Sequence, residues 1–123
     1  MPDATFNPSC RLKVGMDLTG VLLGYQDTLG STIWVINNLG SKSWSLGDEF
    51  EWIVETTPTT WRMIVNKITG GSTLQGDTGA QAWSLVKGNP PIEGVNQWVS
   101  MGDSNSQGTR VNTKLTQFSV ANF

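Results

Sequence analysis

The sequence predicts an all-β domain: a single antiparallel β-sandwich or jelly roll of about nine strands with almost no helix, a closed β-barrel being the alternative. Three observations predict it. Apolar and polar residues alternate with a period of two along most of the chain. Clusters of Gly, Asn, Asp and Pro interrupt that alternation every ~8–15 residues, as in sandwiches and barrels. No window of about a dozen residues carries the 3.6-residue period of an amphipathic helix.

Residues 1–9 (MPDATFNPS) contain Pro2 and Pro8 and no period, so they read as an extended arm ahead of one β domain spanning 10–123. At 10–16, Cys10, Leu12, Val14 and Met16 alternate with Arg11, Lys13 and Gly15. Segments 20–25, 31–37 and 41–46 follow, rich in Val, Ile, Thr and Trp. At 49–55, Phe50, Trp52 and Val54 alternate with Glu49, Glu51, Ile53 and Glu55. At 60–68, Trp61, Met63 and Val65 alternate with Arg62, Ile64 and Asn66. This pattern places Trp52 and Trp61 in the core. Gly76-Asp77-Thr78-Gly79 reads as a turn, and 81–87, 95–101 and 109–120 complete the strand set. A change of parity in 109–120 implies a β-bulge near Thr116. The phrase L-G-S-x-x-W occurs at Leu29–Trp34 and again at Leu39–Trp44, which predicts two consecutive strands opened by the same turn chemistry.

Composition excludes several functions. The chain of 123 residues has room for one domain. No apolar run is long enough to span a bilayer. Met1-Pro2-Asp3 lacks the basic and apolar regions of a signal peptide, so none is expected. A net charge of −2 with dispersed Lys and Arg points away from nucleic acid. The absence of histidine removes the commonest general base and metal ligand. Cys10 has no cysteine partner and reads as a small buried hydrophobe.

The motifs point to binding more than to chemistry. Asp77-Thr78-Gly79-Ala80 resembles the D-T-G of retroviral-type aspartic proteases over four residues. In that family a buried apolar strand leads into the aspartate, so that two carboxylates share a proton. Here the approach, Ser72-Thr73-Leu74-Gln75-Gly76, is polar. Asp103-Ser104-Asn105-Ser106-Gln107-Gly108 resembles the first half of an EF-hand loop, but Lys114 stands where the bidentate Glu belongs, so 102–108 reads as a polar hairpin loop. Glu49, Glu51 and Glu55 share one strand face and read as a solvated sheet surface; a two-carboxylate site or a serine–lysine pair is the formal enzymatic alternative.

The expectation is therefore a non-enzymatic structural or assembly subunit of a virus or phage particle, as a capsid decoration or tail component. No catalytic residue, metal or cofactor is expected. Low charge (15% of residues) leaves surface for protein contacts, and apolar Phe6, Phe118 and Phe123 near the two ends are the expected interface residues. The expected partners are copies of itself and other particle proteins, with no nucleic acid and no membrane, in the virion or alternatively the cytoplasm. A carbohydrate-binding, lectin-like module is the second reading. It rests on six tryptophans, and on Trp98 in phase with Asn96 beside the loop carrying Asp103 and Asn105.

Overall fold

The structure is a computed structural model that describes residues 12–88. These residues form two antiparallel sheets rather than a closed barrel. The first sheet has the order β1-β2-β3, from β1 (Leu12–Asp17), β2 (Gly20–Gln26) and β3 (Thr32–Asn37). The second contains β4 (Phe50–Thr56), β5 (Thr60–Lys67), β6 (Thr73–Asp77) and the short β7 (Gln81–Ala82). β5 pairs with β4 on one side and with both β6 and β7 on the other. A single 3₁₀ turn, Trp83–Leu85, follows β7. Among the described residues, no helix is long and apolar enough to cross a membrane.

The two central strands build the core by alternation. Val21, Leu23 and Tyr25 of β2 face Trp61, Met63 and Val65 of β5, and all six are buried. The Tyr25 and Trp61 rings meet edge-on at 5.6 Å. β6 lies against the first sheet: a side chain at Gly76 would touch Leu23, Val21 and Ile36 at 3.2–3.4 Å. A bulge on β3, opposite Leu23 and Gly24, lets Val35 and Ile36 both pack on the core although they are adjacent in sequence. A second bulge on β6 displaces Gln75 from the ladder.

Polar groups stitch the sheets together. Asn38 Oδ1 accepts the Val21 N–H at 2.7 Å, and Asn38 Nδ2 donates to the Gln75 carbonyl at 2.9 Å, so one amide joins β2 to β6. Thr78 is buried and its hydroxyl accepts the Met63 N–H at 2.9 Å. Trp83 is buried, with its N–H on the Thr59 carbonyl and its indole Nε1 on the Thr57 carbonyl at 2.9 Å. The chain then leaves the second sheet for the first, where Val86 bridges Asp27 and the Lys87 N–H reaches the Gln26 carbonyl.

Several expectations need correction. Seven strands lie among the described residues, and two of the nine expected, 95–101 and 109–120, fall outside them. Residues 41–46 form no strand. The Trp44 N–H instead goes to the Leu18 carbonyl, and its buried ring packs on Phe50 at 4.6 Å. The second L-G-S-x-x-W copy thus shares only the turn, with Gly30 and Gly40 both at positive φ. The stretch expected as a turn at 76–79 begins inside β6, which ends at Asp77. The strand expected over 81–87 reduces to Gln81–Ala82, because Trp83 turns inward to close the loop at 57–59. Trp52 is not core: it is 41% exposed on β4, which pairs with β5 alone among the described residues. The arm at 1–9, Cys10, the segments 95–101 and 109–120, and the bulge at Thr116 lie outside the described residues.

Candidate functional site

The ladder register shows which side chains share each sheet face. Leu12, Val14 and Met16 lie on the face of Tyr25, Leu23 and Val21. Phe50, Trp52 and Val54 lie on the face of Lys67, Val65 and Met63. These are the inner faces, which in a closed sandwich are dry. Yet Val14, Met16, Trp52 and Val54 are each 38–41% exposed, whereas the central β2 and β5 residues opposite them are at most 8% exposed. β6 lies beneath β2 and Ile36 of β3, while β1 and β4 each pair on one side only among the described residues; the partly exposed apolar flank they carry is the candidate site. Trp44 closes only its end, where it packs on Phe50 and bonds Leu18.

The described aspartates are committed elsewhere. Asp77 accepts two bonds from Arg62, one from Nε at 2.8 Å, and another from the Gly79 N–H. The Arg62 hydrogen bond and then the Gly79 amide hold its carboxyl down to about 2. So the aspartate of the D-T-G sequence faces a guanidinium, the opposite of the shared-proton environment of an aspartic protease. Asp17 is lowered by the Thr19 hydroxyl and amide, both at 2.6 Å. Asp48 is lowered by the Ser45 amide and, more weakly, by Lys67. Asp27 ties the β2–β3 turn through the Leu29 and Ser31 amides. Glu55 pairs with Arg62 at 3.5 Å, and Glu51 accepts from Asn66. Among the described residues, no cluster of His, Cys, Asp and Glu could hold a metal ion.

An open groove of about 610 Å³ lies at the opposite end of the sheets, lined by Thr28, Pro58, Thr59, Trp83, Ser84 and Lys87 among others. It brings one serine–lysine combination into a common lining, but no hydrogen bond joins Ser84 to Lys87.

The predicted site residues Trp98, Asn96, Asp103, Asn105, Phe6, Phe118 and Phe123 all lie outside the described residues. The open flank went unnoticed in the sequence because Trp52 and Val54 alternate as core residues do. Only the strand order shows that β1 and β4 are edges. The chain matches no protein-family model, no curated protein and no solved structure.

Proposed function

We propose that the chain is a non-enzymatic assembly subunit that joins copies of itself through the open flank between β1 and β4. The observation that carries this reading is the row of inner-face apolar side chains, Val14, Met16, Trp52 and Val54, left 38–41% exposed on two edge strands. Such a flank combines apolar area with strand edges that have no partner among the described residues, which is what an added strand needs. The occupant in this reading is an extended segment of a neighbouring copy. The apolar Val111, Leu115, Phe118 and Val120 of 109–120 suit it, and the chain beyond Gly88 has an extended reach on the order of 100 Å. The complete fold is then a jelly-roll-like sandwich whose count reaches nine with 95–101 and 109–120. A particle component of viral or phage type, located in the virion, is the setting in which such joining serves a purpose. The commitment of the described aspartates to turns and to Arg62 supports a non-catalytic role.

Light scattering of the full chain over a wide concentration range tests this. The wild-type chain should be oligomeric, and Trp52→Lys or Val54→Lys should shift it to monomer with an unchanged β-type circular dichroism spectrum. A wild-type monomer at every concentration, with Trp52 shielded from an aqueous quencher, would mean the chain covers its own flank and would overturn the proposal.

A further inference from the structure

We propose that the outer face of the first sheet is a glycan site that takes a pyranose ring carrying a carboxylate. It is separate from the open flank and does not depend on it.

The register puts Lys13 of β1, Gly24 of β2 and Trp34 of β3 in one row across the outer face. The next row is Gly15, Leu22 and Asn37, and Gln26 pairs with Thr32 on the other side. Gly24 is the floor of the site. A Cβ there would lie 2.8 Å from Cε3 of the Trp34 ring, so the indole occupies the space above the glycine backbone. The ring is held from below and is still 37% exposed. A supported aromatic plate with an open side is the element that stacks on the apolar face of a sugar ring, with little entropy to lose on binding.

The rim supplies the polar half of the recognition. Lys13 Nζ reaches from β1 to donate to Thr32 Oγ1 at 2.8 Å, which carries the ammonium past the glycine row to the strand that bears the indole. Lys13 forms no ion pair among the described residues. The carboxylate nearest in register on this face, Asp17, is turned into the β1–β2 turn by Thr19. Thr32 and Asn37 add a hydroxyl and an amide suited to sugar hydroxyls. The outer face of the second sheet differs, carrying the Glu55–Arg62–Asp77 cluster. The plate gives affinity for a pyranose, and the ammonium beside it selects an acidic one.

The test is an NMR titration of the full chain that follows the tryptophan indole N–H signals, with the Trp34 signal assigned from Trp34→Phe. The probes are a tetrasaccharide of alternating glucuronate and N-acetylglucosamine, and cellotetraose as the neutral counterpart. The acidic tetrasaccharide should shift the Trp34 signal saturably. Its affinity should fall at least about tenfold in Trp34→Ala, and Lys13→Met should erase the preference over cellotetraose. Both side chains are at the surface, and retained circular dichroism establishes that the variants fold. No saturable shift with either sugar, or a response that survives Trp34→Ala in a folded protein, overturns the site. Equal affinity of the wild type for both sugars overturns the acidic specificity.

Discussion

Replacing Gly24 with alanine should destabilise the fold by about 3 kcal/mol, the upper part of the usual range for overpacking. The reason is steric. A Cβ built at Gly24 falls 2.0 Å from the Ile33 carbonyl oxygen and 2.9 Å from its carbon, and both are backbone atoms. Ordinary contact would require β3 to move by about 1 Å. That movement strains the bulge through which Val35 and Ile36 reach the core. Gly15 is a matched control on the same outer face, because a Cβ there meets Leu22 Cδ1 at 3.5 Å, an ordinary contact. At about 3–5 °C per kcal/mol for a chain of this size, Gly24→Ala should lower the melting temperature by roughly 10 °C. Gly15→Ala should change it by about 2 °C or less. Differential scanning calorimetry of the two variants reads this directly. Equal melting temperatures for Gly24→Ala and Gly15→Ala would refute the close approach of β3 over β2.

Two tryptophans in the same sheet should respond unequally. Trp61→Ala, at a fully buried position, should cost about 3–5 kcal/mol in urea unfolding. Trp52→Ala should cost less than about 2 kcal/mol, because the side chain already faces water in part; matching losses would show that β4 is covered. Acid titration should reveal Asp77. Its carboxyl, lowered from 3.8 to about 2, stabilises the folded state fully above about pH 4, and that contribution is lost as pH falls through 2. The melting temperature of Asp77→Asn should therefore fall less steeply between pH 4 and 2 than that of the wild type, with the remaining slope due in part to Asp17 and Asp48.

Strands with apolar alternation or a high β-branched and aromatic content were legible from sequence. β1, β2, β3, β4 and β5 fall within two residues of their expected bounds, because β1, β4 and β5 alternate apolar and polar residues and β2 and β3 are rich in β-branched and aromatic ones. β6 was not legible. Thr73-Leu74-Gln75-Gly76-Asp77 has no apolar face, and its inward position is a glycine whose role is to admit Val21, Leu23 and Ile36. The stretch 41–46 misled for the converse reason. Lys42, Trp44 and Leu46 keep the strand period, but Trp44 is a plug whose indole donates to Gln75 Oε1 at 3.3 Å, and no ladder runs beside it. Of the sites, Trp34 left only a faint trace, its phase with polar Thr32. What distinguishes it is Gly24, ten residues earlier in sequence and across the ladder, and pairing of that kind is invisible until the register is known.

The passage of the chain from β7 on the second sheet to Val86 and Lys87 on the first works as a buckle. Trp83 fastens one side to the 57–59 loop while its next few neighbours fasten the other to the end of β2. Neither layer can then peel away alone without undoing the same few residues. Amide protons in both layers should accordingly exchange with one shared opening energy, and the molecule should melt as a single cooperative unit.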